Sequence, residues 1–233
     1  MGEVRVADYI ATFIERTLKV NHVFILTGGG NMYLTDSILK NKNITPICNH
    51  HEQACAMGAV GYTKQTGKAG VVIPTTGCGG TNTITGLLDA WQDSLPCFFI
   101  SGQVNTNQTC YTAKSKLRKF GTQEANIVEV VKPLTKFAEM IEDPNDIKYL
   151  LEKAHYLSIS GRPGPVWLDV PLDVQGKLVD ENTLKGYTPP APQLSVDVDC
   201  EFLQRASRPI ILAGNGIRSV SYTHLRAHET VLD

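Results

Sequence analysis

Residues 44–76 read ITPICNHHEQACAMGAVGYTKQTGKAGVVIPTT. Ile44–Cys48 is a short apolar run with the look of a strand. His51–Gln65 reads as a helix, with Gly67 placed to stop it. Ala69–Thr76 turns apolar and β-branched again, a second strand. Strand, helix and strand in that order, with both strands apolar at consecutive positions, indicate parallel strands covered on two faces. At 49–53, where the first strand becomes the helix, stand Asn-His-His-Glu-Gln. Two imidazoles and a carboxylate in that place suit a metal site, a ribose contact, proton transfer or a helix cap.

The alternation continues on both sides. Upstream, Val4–Lys19 puts Val6, Ile10, Phe13, Thr17 and Leu18 on one helical face. A strand at His22–Leu26, the loop TGGG (27–30) and a helix around Met32–Leu39 follow. Downstream come a loop GCGG (77–80), a helix Thr81–Ser94, a strand Pro96–Gly102 and a short helix Glu124–Val131. A strand Lys136–Ile141, a helix Asp143–Ser160 opened by Pro144 and a last strand Gly164–Pro171 complete the pattern. The expected fold is α/β: a doubly wound, mostly parallel sheet of about six strands with helices on both faces, filling residues 1–180.

Residues 181–198 contain GYTPPAPQLSVD and read as a linker. Residues 199–220 open a further domain that cannot close in the length left. The tail 221–233, SYTHLRAHETVLD, continues neither pattern and resembles a translated sequencing adaptor. The native chain is therefore expected to run on past about Ser219. His224 and His228 fall inside this tail, so their i, i+4 spacing is not read as a metal pair.

Composition narrows the partners. With 22 basic against 23 acidic residues the formal charge is −1, which speaks against nucleic-acid or membrane binding. A hydrophobic fraction of 42% with 19% charged residues indicates a globular chain rather than a disordered one. The first ten residues lack the apolar core of a signal peptide, and Val6 stands where a myristoylation pattern needs Ser or Thr. No apolar run approaches the roughly 18 residues of a membrane span, so a cytoplasmic protein is expected. The cysteines at 48, 55, 78, 97, 110 and 200 form no Cys-x-x-Cys pair. They read as buried inert thiols rather than a disulfide frame or zinc site.

Three Gly-rich loops fail the familiar nucleotide motifs. Gly28 and Gly30 start a Gly-x-Gly-x-x-Gly series that ends on Tyr33, and Gly77 and Gly79 start one that ends on Asn82. GYTKQTGKA imitates a phosphate loop, but five residues separate Gly61 from Gly67 and Ala69 replaces Ser or Thr. Glycines at successive strand ends suggest instead a shared cleft, where ligands of open α/β sheets collect.

The order TGGG, then HHEQACAMGAVGYTKQTGKAGVVIPTTGCGGTNTITGLLDAWQDSLPCFFISGQV (50–104), then GRPGPVWLDVPLDVQ (161–175) resembles a known pattern. It is similar to the N-terminal, pyrimidine-binding domain of thiamine diphosphate enzymes, in particular the acetolactate synthase large-subunit family. The likeness covers roughly residues 4–176 and resumes at ASRPIILAGNGI (206–217), where that family begins its central domain. Read from the residues alone, Glu52 is better explained as a complement to the helix dipole, worth about 0.3–1 kcal/mol. The resemblance makes it the catalytic carboxyl group. That group hydrogen-bonds N1′ of the cofactor's pyrimidine and passes a proton to and from the ring, so that the cofactor's own amino group can act as base. A dry pocket suits it, because desolvation brings a carboxyl group toward proton exchange near neutral pH. His50 and His51 read as hydrogen-bonding neighbours, not ligands.

The other implied positions are less complete. The family's Tyr-Pro-Gly-Gly turn corresponds to Leu26, Thr27, Gly28 and Gly29, so its Tyr-Pro pair is missing. Gly28 would let the backbone approach the pyrimidine. Ser-Gly-Pro-Gly-x-Thr-Asn corresponds to Thr76, Gly77, Cys78, Gly79, Gly80, Thr81 and Asn82, with Cys78 in place of Pro. The cofactor-binding candidates are thus Glu52, Thr27, Gly28, Thr76, Gly77, Asn82 and Gln103, the last equally well explained as structural.

The resemblance implies a cofactor shared between two subunits of a homodimer or homotetramer. Diphosphate and Mg²⁺ would meet a C-terminal domain bearing Gly-Asp-Gly…Asn, a signature these 233 residues lack. The chain alone is therefore expected to be inactive. FAD, common in the family, would sit mostly in the central domain. The implied reaction is that of a transferase or lyase: decarboxylation of a 2-keto acid such as pyruvate and transfer of its two-carbon unit. Both a second 2-keto acid and a nucleotide-linked keto sugar are open as acceptors. An oxidoreductase, with Gly28–Gly30 on a pyrophosphate and Glu52 on a ribose, is the reading from a different class.

Overall fold

The computed structural model describes residues 2–110, 112, 116–191, 200–208 and 210. The chain divides into two compact units, Met1–Pro189 and Pro190–Asp233. In chain order the first unit contains β1 (Glu3–Arg5), α1 (Val6–Arg16), β2 (His22–Ile25), α2 (Met32–Lys40), β3 (Thr45–Cys48) and α3 (Glu52–Thr66). There follow β4 (Val71–Ile73), α4 (Cys78–Thr81), α5 (Ile84–Gln92), β5 (Phe98–Gln103), α6 (Ile127–Val131) and β6 (Phe137–Met140). α7 (Ile147–Ile159), β7 (Val166–Pro171), α8 (Leu172–Gln175) and β8 (Leu178–Asp180) complete it, and the second unit contributes α9 (Cys200–Arg205). Residues 192–199 of the linker lie outside the described residues. So does everything from 209 onward apart from Ile210, including the strand expected to open the central domain and the tail with His224 and His228.

Six strands form one sheet in the order β3-β2-β4-β5-β7-β6, and every neighbouring pair is parallel. Side chains alternate across it. Val71, Ile73, Phe98, Ile100, Val166, Leu168 and Val170 share one core with residues of α1, α2 and α7. Val72, Phe99 and Trp167, between them in sequence, share a second core with α3, α5 and α6. The continuous apolar strands are thus a consequence of two covered faces. Phe99 and Trp167 stack on the second face, ring centroids 5.2 Å apart and planes 9° apart. Pro46, which has no N–H to donate, lies in the edge strand β3.

The expected six-stranded α/β architecture is present, with local differences. Val4 belongs to a strand, not to the first helix: β1 pairs antiparallel with β8, Val4 opposite Val179. Helical spacing in the sequence could not reveal a ladder partner at the far end of the domain. GCGG is not simply a loop, since Cys78–Thr81 forms the single turn α4. The helix expected over 81–94 starts only at Ile84, because Thr83 Oγ1 donates to the Gly80 carbonyl at 2.7 Å and closes the preceding turn. Pro144–Asp146 forms a 3₁₀ turn ahead of α7, fastened by the Asn145 N–H on Asp143 Oδ1 at 2.9 Å. Cys55 and Cys97 are buried, but Cys48 and Cys78 are exposed and Cys110 is half-buried; all five are free thiols. Among the described residues no helix is long and apolar enough to cross a membrane.

Candidate active site at the strand ends

The chain leaves β2 toward β3 on one side and comes back through β4 on the other. Loops that diverge from adjacent parallel strands leave a crevice at the strands' carboxyl ends. Here the loops are Leu26–Gly30, after β2, and Pro74–Gly77, after β4.

Asn31, 0% exposed, ties them together. Its Nδ2 donates to the Leu26 carbonyl at 3.0 Å and the Ile73 carbonyl at 3.3 Å, and its Oδ1 accepts from the Gly28 N–H at 2.8 Å. Thr75 is the second tie. Its Oγ1 accepts from the Gly30 N–H at 3.3 Å, and its side chain fills the space a Cβ would need at Gly28 or Gly79.

Glu52 enters this crevice from the first turn of α3, whose N-terminus is capped by His51 Nδ1 accepting from the Gln53 N–H at 3.1 Å. The Glu52 side chain belongs to a residue only 8% exposed. Its Oε2 accepts from Asn82 Nδ2 at 2.9 Å. Its Oε1 faces Gly79, where a Cβ would stand 3.3 Å away. The helix N-terminus favours the negative charge, and the amide hydrogen bond fixes its direction.

Gly77 shapes the rim. Its φ of 62° is left-handed, and any Cβ there would collide with the carbonyl oxygen of Gln123. Gln123 itself has φ 59°. The adjoining segment is organised by Glu124, which accepts from the N–H groups of Cys110, Phe120 and Gly121 and from the Cys110 thiol. Burial pushes the Glu124 pKa up, but these donors outweigh it and hold the carboxyl group below its ordinary range.

Behind the crevice runs a buried polar chain. Trp167 Nε1 donates to Ser101 Oγ at 2.8 Å, Ser101 Oγ donates to Asp169 Oδ1 at 2.6 Å, and Gln103 Nε2 donates to Asp169 Oδ2 at 2.9 Å. Burial pushes the Asp169 pKa up to about 7, against the lowering effect of its two hydrogen bonds.

The structure brings Glu52 and Asn82 into contact and sets Gly28 and Gly77 on the two loops beside them. Thr27 is exposed on the first loop. Thr76 is buried against Gly30, its hydroxyl without a hydrogen-bond partner among the described residues. Gln103 Nε2 also donates to the Ala125 carbonyl at 2.9 Å, and its Oε1 accepts from the Val104 N–H at 3.0 Å, so both ends of its amide are spent inside the protein. His50 is exposed. Among the described residues no group of three or more His, Cys, Asp or Glu could hold a metal ion. Thr75 and Asp169 were missed by sequence reasoning. Asp169 left a signal, a lone carboxylate in the apolar run VWLDVP; Thr75 left none beyond its place at a strand end.

The family of thiamine pyrophosphate enzymes, N-terminal TPP binding domain, matches residues 4–129. The chain is 35% identical over 222 residues to the chloroplastic acetolactate synthase of Arabidopsis thaliana, covering 90% of this chain and 31% of that one. It is 35% identical over 220 residues to the acetolactate synthase large subunit of Corynebacterium glutamicum, covering 90% and 34%. To the acetolactate synthase large subunit of Lactococcus lactis it is 35% identical over 209 residues, covering 87% and 35%. The chain spans about a third of the length of these curated relatives. With more than half of its residues matched, and with a buried carboxylate at the mouth of a six-stranded parallel sheet, this chain belongs to the thiamine pyrophosphate enzymes as their N-terminal TPP-binding domain.

Proposed function

We propose that this chain holds the aminopyrimidine side of thiamine diphosphate in an enzyme of acetolactate synthase type. Such an enzyme, a transferase or lyase, decarboxylates a 2-keto acid such as pyruvate and passes the two-carbon unit to an acceptor. The observation that carries this reading is the buried Glu52 carboxylate, held by Asn82 in the crevice between the β2 and β4 loops.

The residues present fit the group. A buried carboxylate faces a glycine, Gly28 and Gly77 carry no side chains, and the Thr76 hydroxyl is buried without a hydrogen-bond partner among the described residues. When bound, thiamine diphosphate supplies an acidic thiazolium carbon and an electron sink for decarboxylation. Asn82 occupies Oε2 of Glu52 with a donated N–H, which directs any proton to Oε1. Oε1 is then the atom that gives or takes a proton at a ring nitrogen. Gly79 keeps the approach to Oε1 open, and low exposure keeps bulk water from competing for the proton. Thr27, Gly28, Thr76 and Gly77 line this side of the cofactor, while Gln103 braces the strand ends behind it.

Mg²⁺ and the diphosphate are assigned to another part of the enzyme and FAD to its central domain. The working form is a cytoplasmic homodimer or homotetramer. The test is Glu52→Gln in a protein extended to the length of its relatives. Turnover of pyruvate falls by about 10²–10⁴, the usual size of a general acid–base contribution, with the melting temperature unchanged. Turnover within about twofold of the parent would remove Glu52 from the chemistry.

A further inference from the structure

The N-terminal ends of β6 and β7 lie at the end of the sheet opposite Glu52. They border a cavity of about 580 Å³. That volume suits a small organic molecule rather than a bare inorganic ion. Trp91, at the end of α5, forms one wall and is 38% exposed; the only other tryptophan, Trp167, is 0% exposed.

Lys136 and Arg162 also line the cavity. At Gly164 a Cβ would lie 3.0 Å from Lys136 Cγ and 3.7 Å from Trp91 Cε3, so the glycine lets the lysine stem lie beside the indole. Lys136 Nζ donates to the Ser160 carbonyl. Arg162 Nε donates to Ser94 Oγ at 2.7 Å, and its Nη2 donates to the Gln92 carbonyl at 3.3 Å. Both cationic heads are therefore fixed by neutral acceptors. Neither forms an ion pair with a carboxylate among the described residues. Burial lowers the Lys136 pKa, as expected for an ammonium group drawn from water without a counter-charge. Most of the N–H donors of the two heads stay available: a guanidinium has five and an ammonium three.

A fork and a point charge, neither ion-paired with a carboxylate among the described residues, match a phosphate group. A partly exposed indole beside them matches a flat ring. We propose that this cavity binds a ring-bearing phosphate monoester, with the phosphate between Lys136 and Arg162 and the ring against Trp91.

The test titrates adenosine monophosphate, phenyl phosphate and inorganic phosphate into the 233-residue chain at low ionic strength, read by calorimetry and tryptophan fluorescence. Both ring-bearing esters are expected to bind at least about tenfold more tightly than inorganic phosphate and to change the Trp91 emission. Trp91→Phe abolishes the emission change while Trp167 still emits. Arg162→Gln and Lys136→Met each weaken binding about tenfold or more, and thermal melting checks that each variant is folded. Should Arg162→Gln fail to fold, Lys136→Met carries the result alone. Inorganic phosphate binding as tightly as the esters, no saturable binding, or binding indifferent to Lys136→Met would each overturn the proposal.

Discussion

At the residue scale, one amide decides how the Glu52 carboxylate is presented. Asn82→Leu keeps the volume and removes the donor on Oε2. A hydrogen bond to a charged group contributes about 1.5–3 kcal/mol, so turnover of the extended protein is expected to fall about tenfold or more. Steady-state kinetics on pyruvate check this, and an unchanged rate would reduce Asn82 to a bystander. Gly77→Ala acts on stability instead. The φ of 62° and the Gln123 carbonyl leave no room for a methyl group, so a loss of about 2 kcal/mol or more is expected in urea denaturation. Asp169 sets a pH dependence. Its carboxyl group, ordinarily titrating near 3.8, is pushed by burial to about 7. Between about pH 4 and pH 7 the folded state keeps a proton that the unfolded state has released, so this group's contribution to stability declines as pH rises through that window and levels off above it. The stability difference between the parent and Asp169→Asn, followed by denaturant titration across pH 4–8, should show that slope; a flat difference would contradict it. Glu52 was legible in the sequence as a carboxylate at a strand-to-helix turn. Its bond to Asn82, on a different element, was not, because a hydrogen bond between residues thirty positions apart leaves no local pattern.

At the scale of elements, the stack of Phe99 on Trp167 locks β5 to β7 beneath α3, α5 and α6. Both rings are 0% exposed. Phe99→Ala should cost about 3–5 kcal/mol, measured as a shift of the urea midpoint at constant slope. A loss under about 1 kcal/mol would mean that the second core collapses around the gap. The central strands β4, β5 and β7 were readable because burial on both faces makes Val71–Ile73, Phe98–Ile100 and Val166–Leu168 uninterrupted apolar runs. β1 and β8 were not readable. Each is three residues long, and each exists only because the other supplies its ladder partners. The break between α4 and α5 was hidden for a related reason: TNTITGLLDAWQDS reads by its place between two strands as one helix, and the buried Thr83 hydroxyl on the Gly80 carbonyl interrupts it.

At the scale of the whole molecule, the chain spans about a third of the length of its relatives, and the proposed function gives it only the pyrimidine side of the cofactor. On that proposal, which places the diphosphate on another part of the enzyme, the 233-residue chain alone binds thiamine diphosphate weakly, with a dissociation constant of about a millimolar or above. Calorimetry at saturating Mg²⁺ checks this; micromolar binding would place a diphosphate site within these residues. The linear pattern of strand, helix and glycine loop determined the fold class and the number of strands in the main sheet. Those properties follow from periodicity and chain order, which are local. Only the tertiary structure decided which strands are neighbours, that β2 and β4 flank the crevice, and that Asn82 bonds one oxygen of Glu52 while Gly79 faces the other. Those properties depend on packing between distant segments, where the free energy of burial selects one arrangement among many that the same local pattern allows.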